Sequence, residues 1–183
     1  MLPGKDGMVL SWWKRIKAHR NLDKVSGDLL RAIYAAIVEK LLASNMQPSE
    51  INEWLKDIGK RAGEWLFLVY SRKIGIHAFE TDIEKITENI CFAIDIFSGA
   101  KARYKRVSKN KITIEVKNCA FCRDVSPSDE IQSVKYCEVM AGMIEGAYEM
   151  RNVIARATEK KCALNDEICL IEVQVLKKNE TLP

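Results

Sequence analysis

Near residue 100 the hydrophobic period of this chain changes from that of helices to that of strands, which limits its fold more than any other feature. Upstream, apolar residues recur every three to four positions. Leu30, Ile33, Tyr34, Ile37 and Leu41 form one stripe over 28–43. A second starts at Pro48-Ser49-Glu50, residues suited to a helix's first turn, and runs through Ile51, Trp54, Leu55, Ile58, Ala62, Trp65, Leu66 and Tyr70 to a stop at Gly75. A third, over 82–97, passes through Ile83, Ile86, Ile90, Ala93, Ile94 and Phe97 and ends near Ser98-Gly99. A short helix over 11–20 carries Trp12, Trp13 and Ile16 among basic residues.

Downstream, Lys111 to Lys117 alternates, with Ile112, Ile114 and Val116 on one side and Thr113, Glu115 and Lys117 on the other. Residues 102–107 are its expected partner across a turn at Ser108-Lys109-Asn110. A loop at Pro127-Ser128-Asp129 leads to an apolar helix over 133–150, in which Gly142 and Gly146 make a smooth face for close approach. Segments 152–161 and 168–176 then form a closing hairpin with its turn at 163–166. The expected architecture is α+β: long N-terminal helices packed on a small antiparallel sheet with a C-terminal hairpin. A helical extension over 1–25 precedes a single domain over 26–178.

Composition places the chain among ordinary globular proteins, with 48% hydrophobic and 30% charged residues. The net charge of +4 is too modest to argue for nucleic acid by itself. The basic run of Lys101, Arg103, Lys105, Arg106, Lys109 and Lys111 reads as a solvated hairpin edge, and no RNA-binding signature accompanies it. No apolar run approaches the ~20 residues of a membrane span, and residues 1–8 lack a signal-peptide core, so a cytoplasmic location is expected. In that compartment cysteines are reduced, metal-bound or buried.

Of six cysteines, Cys119, Cys122, Cys137, Cys162 and Cys169 fall between residues 119 and 169. Cys119 and Cys122 form a C-x-x-C, Cys137 opens the glycine-bearing helix, and Cys162 and Cys169 flank the closing turn. Thiolates gathered from several elements suit a tetrahedral site for zinc. Cys91 lies in a helical stripe and is expected to be core.

The segments Tyr136-Cys137 through Gly142 and Gly146, Glu159-Lys-Lys-Cys162 and Asn165-Asp166-Glu-Ile-Cys169 resemble the 4-vinyl reductase domain family. That family shares a fold with TRAPP-type transport subunits and, more distantly, with haem nitric-oxide sensor domains. The motifs span roughly 112–176, with Asn165 where the family has glycine; both residues tolerate a left-handed turn. The resemblance implies a hydrocarbon-binding domain with a structural zinc on Cys137, Glu159, Cys162 and Cys169. Cys122 is the alternative to Glu159, because thiolate is the softer donor. A regular strand would point Glu159 and Cys162 to opposite faces, so a bulge or early turn must intervene for both to bind.

The same resemblance places Trp54, Trp65 and Tyr70 around a ligand cavity, with His77 as a polar group for an aromatic or hydrophobic molecule. Ordinary packing is the competing reading for the tryptophans, and a solvated helix end for His77. No glycine-rich phosphate loop, G-x-S-x-G or H-E-x-x-H occurs. The expectation is a non-enzymatic, zinc-containing ligand-binding domain, homodimeric through its long helices, which a protein partner reads. The rivals are a scaffold subunit of a transport-type complex and an accessory factor in tetrapyrrole or vinyl-group metabolism.

Overall fold

The computed structural model describes residues 27–74, 82–123, 125, 133–164 and 166–178. The helix expected over 11–20, the stop at Gly75, His77, the Pro127 loop and Asn165 lie outside the described residues. Three helices come first: α1 (Gly27–Ala43), α2 (Pro48–Ile74) and α3 (Ile83–Ser98). The hairpin β1 (Lys101–Ser108) and β2 (Lys111–Lys117) follows, then α4 (Glu138–Glu149), β3 (Val153–Lys161) and β4 (Cys169–Lys178). The strands form one antiparallel sheet in the order β1-β2-β4-β3. The expected α+β architecture is the observed one.

Helix ends follow local chemistry. α2 begins at Pro48, whose missing N–H costs nothing in the first turn, and the Gln47 N–H donates to the Glu50 carboxylate at 2.8 Å. Asp82 caps α3 by accepting from the N–H groups of Glu84 and Lys85 at 2.9 and 3.1 Å. Gly99 ends it at φ 65°.

The sheet buries one face. Ile112, Ile114 and Val116 of β2 and Cys169, Ile171, Val173 and Val175 of β4 point inward, as a strand's two-residue period requires. α2 packs against α4 through glycines on both helices. A methyl group at Gly142 would overlap the Lys56 carbonyl oxygen, and one at Gly59 the Val139 carbonyl oxygen. Gly63 and Gly146 meet Met143 and Lys60 backbone in the same way. The partner expected opposite Gly142 and Gly146 is thus α2, which contributes two glycines of its own.

The α1 stripe divides. Tyr34 and Val38 are buried in the core, whereas Ile33 and Ile37 stay exposed on the outer face. The Tyr34 ring meets Phe121 and Tyr136 edge-on at 5.1 and 4.7 Å, and its hydroxyl donates to the Tyr136 carbonyl at 2.6 Å. On the other side of the core the hydroxyls of Thr87 and Tyr148 hydrogen-bond, tying α3 to α4. Thr87→Val should leave the buried Tyr148 hydroxyl without that partner and cost about 1–3 kcal/mol, measured by urea denaturation. An unchanged midpoint would mean that another group satisfies it.

Candidate metal centre

Four segments deliver five thiols to one place. After β2, Asn118 at φ 55° reverses the chain into a turn closed by the Arg123 N–H donating to the Cys119 carbonyl at 3.0 Å. That turn sets Cys119 and Cys122 side by side. Cys137 sits at the N-cap of α4, Cys162 follows β3, and Cys169 opens β4 with its side chain inward. All five are buried.

Cys137 is the hub. Its Sγ lies 3.3 Å from Cys169, 3.6 Å from Cys122, 3.7 Å from Cys162 and 3.8 Å from Cys119, and Cys122 lies 3.2 Å from Cys169. Zn–S bonds of about 2.3 Å place tetrahedral thiolates about 3.8 Å apart, so this spacing fits a single ion. The ligand atoms of Cys119, Cys122, Cys137 and Cys169 lie within 4.8 Å of one another; those of Cys137, Glu159 and Cys162 form a second such group. The Ala163 N–H donates to Cys169 Sγ at 3.3 Å, an interaction that favours thiolate.

Hydrogen bonds within the cluster pull the thiols in opposite directions. Hydrogen bonding to Cys122 holds Cys119 and Cys162 below the usual thiol range. Cys122, Cys137 and Cys169 are pushed above it, chiefly by hydrogen bonding to Cys119. Buried thiolates favour a cation among them.

Glu159 lies beside the thiols, in the group that it forms with Cys137 and Cys162. The ladder between β3 and β4 shifts register between Glu159 and Lys161, which is the irregularity needed to turn both Glu159 and Cys162 toward Cys137. Glu159 accepts from the Cys137 N–H at 2.5 Å, and its own N–H donates to Glu138 at 3.3 Å. Burial pushes its carboxyl up to about 8. Lys56 of α2 lies 3.7 Å from Glu138 and 3.0 Å from Glu145 and donates to the Ala157 carbonyl at 2.6 Å. Hydrogen-bonded groups behind a ligand fix its orientation.

Cys91 lies apart, buried on α3, where burial pushes its thiol up to about 12. The described residues expected around a ligand cavity have different surroundings. Trp65 is 72% exposed. Tyr70 is buried and meets Phe97 edge-on at 4.3 Å. Trp54 instead lines an open groove between α1 and α2, with Ile33, Ala36, Ile37, Lys40 and Leu41. The family resemblance left Cys119 outside the expected set; the signal that brings it near is a C-x-x-C directly after a strand, behind an asparagine able to turn the chain back.

No family model matches the chain. A 72-residue segment is 33% identical to an uncharacterised protein of Methanocaldococcus jannaschii, covering 38% of this chain and 37% of that relative's length. Over 150 residues, the chain is 23% identical to trafficking protein particle complex subunit 3 of Dictyostelium discoideum, covering 80% of each. The crystal structure of subunit 3 from Naegleria fowleri, covalently bound to palmitic acid, superposes with a TM-score of 0.78 at 24% identity, covering 86% of this chain and 99% of that one. An H-NOX protein from S. oneidensis superposes with a TM-score of 0.52 at 14% identity, covering 87% of this chain and 78% of that one. These likenesses establish the fold relationship expected with TRAPP subunits and nitric-oxide sensors. The likeness to the 4-vinyl reductase family rests on the cysteine motifs.

Proposed function

We propose that this chain is a non-enzymatic assembly subunit whose helical layer docks a second copy of itself, with a structural zinc pinning that layer to the sheet. The observation that carries the reading is the outer face of α1 and α2. Leu29, Ile33 and Ile37 are 55%, 52% and 38% exposed, and Trp54, Ile58 and Trp65 are 39%, 38% and 72% exposed. On each helix they recur at helical spacing, so they form contiguous apolar stripes of the kind that marks an interface. A two-fold dimer needs a patch that can face itself, and neighbouring apolar stripes meet that need. The Dictyostelium and Naegleria relatives are by name subunits of a particle complex. No described helix is long and apolar enough to cross a membrane, and we take the site of action as cytoplasmic.

Sedimentation velocity of the full chain tests this. A concentration-dependent dimer is expected, and Ile33→Glu combined with Trp54→Glu should give a monomer with unchanged circular dichroism and metal content. A parent protein monomeric at every concentration overturns the dimer.

For the zinc, the four-thiolate set of Cys119, Cys122, Cys137 and Cys169 is our assignment, with Glu159 orienting Cys137 and Cys162 as the neighbouring fifth thiol. It differs from the set that the family resemblance implies, in which Glu159 and Cys162 bind directly. Cys119→Ser should release zinc more readily than Glu159→Gln, and zinc-edge X-ray absorption should show sulfur neighbours only, at about 2.3 Å. An oxygen neighbour lost in Glu159→Gln would restore the family's set.

A second reading has its own support. The open groove beside Trp54 has a volume of about 510 Å³ and is lined by apolar side chains with Lys40 as the charged residue. Small-molecule sites span about 300–1,000 Å³ with few polar groups. A hydrophobic or aromatic ligand bearing an acid group suits it, and a partner protein would then read the occupied state. Quenching of Trp54 fluorescence by phenols, fatty acids or isoprenoids, abolished in Ile37→Glu, supports this reading; a porphyrin arm tests the tetrapyrrole accessory role. Failure of all four classes leaves the groove to the dimer.

A further inference from the structure

The helices cover one face of the sheet, and the charges collect on the other. On β1, Lys101, Arg103 and Lys105 are exposed and alternate with the partly buried Ala102 and Tyr104. Register carries the pattern across the sheet. Lys117 pairs with Lys101, Glu115 with Arg103, and Thr113 with Lys105. Farther along, Lys111 pairs with Gln174, which pairs with Arg156, and Leu170 pairs with Lys161. These outward positions hold seven basic and two acidic side chains, a surplus of five, whereas the whole chain carries +4. The positive charge of the protein is therefore concentrated on this face. One of the two acids, Glu172, is engaged by Lys111 at 2.7 Å and Lys160 at 3.6 Å.

At one end of the same sheet, where β1 and β4 finish and β3 begins, Val107, Leu176 and Ile154 are 55%, 60% and 42% exposed. A basic face with an apolar end matches the layered chemistry of a bilayer surface, anionic headgroups above acyl chains. Nucleic acid fits less well. The outward positions carry no aromatic ring for base stacking, and a four-stranded sheet is broader than the two-stranded ribbon that a major groove admits.

We propose that the open face of the sheet is a peripheral docking surface for membranes rich in anionic headgroups, with Val107, Ile154 and Leu176 entering the headgroup layer. The surface is independent of the α1–α2 stripe, since the helices lie against the opposite face of the sheet.

Flotation of the metal-loaded full chain with vesicles tests it. Binding is expected on phosphatidylcholine vesicles containing phosphatidylserine and not on phosphatidylcholine alone, and it should fade as salt shortens the reach of the charges. Each of Arg103→Gln, Lys105→Gln and Lys117→Gln should lower the partition coefficient about fivefold, with melting and oligomeric state unchanged. Leu176→Ser should weaken binding without altering its salt dependence. Equal binding to neutral vesicles, no binding to either, or release from anionic vesicles by a slight excess of RNA would overturn the proposal. So would a dimer that the Gln variants dissociate, because the face would then be covered by a second copy.

Discussion

Cys137→Ala is expected to strip the chain of zinc and to destabilise it by more than about 4 kcal/mol, the range in which a core residue or a metal is lost. Cys137 is the thiol that both candidate ligand groups share, and its Sγ lies within 3.8 Å of four others. Its removal leaves each group short of a ligand while the remaining thiols stay buried together. It also cuts the link between α4 and the two strands of the closing hairpin, since metal-binding energy is folding energy in such a site. The control is Cys91→Ala, an equal deletion elsewhere in the core: it should melt lower by a cavity's worth and retain its zinc. Thermal melting with elemental analysis checks both. If Cys137→Ala and Cys91→Ala lose the same stability and neither sample contains zinc, the cluster is packing and not a metal centre.

The second large effect is expected at Gly142. A methyl group there would run into the Lys56 carbonyl oxygen and come within 2.8 Å of the Lys60 backbone nitrogen. Backbone cannot rotate aside as a side chain does, so α2 and α4 would have to separate along a seam of four glycines. Overpacking costs about 1–3 kcal/mol, occasionally more, and Gly142→Ala should sit at the upper end of that range. Gly99→Ala is the contrast. No atom lies within 4 Å of the added methyl, so its cost is the left-handed backbone alone, about 1–2 kcal/mol. Denaturant titration should rank Gly142→Ala as the more damaging by a clear margin. Equal losses would mean that the helices separate easily, and that the seam does not hold Lys56 against Glu138 and Glu145.

Much of this arrangement was legible from the residues in order. The switch from helical to strand period placed both hairpins, and Pro48, Asp82 and Gly99 marked helix ends through chemistry that acts within one turn. The need for an irregularity between Glu159 and Cys162 followed from strand geometry, and a register shift is found there. What stayed illegible depends on contacts between distant segments. Periodicity groups Ile33 and Ile37 with Tyr34, yet only Tyr34 finds Phe121 and Tyr136 beside it. Trp54 and Trp65 look like core because they are large and apolar, but the glycines at 59 and 63 turn another side of α2 toward α4. Cys119 joins the thiol cluster through a left-handed residue and a single turn, and neither leaves a periodic trace.

Native mass spectrometry of the purified full chain weighs metal, ligand and partner copy together. A dimer carrying one zinc per chain is expected, which Ile33→Glu with Trp54→Glu converts to a zinc-bearing monomer. A metal-free monomer, or a monomer whose added mass is that of a small apolar molecule, would contradict a zinc-pinned dimer.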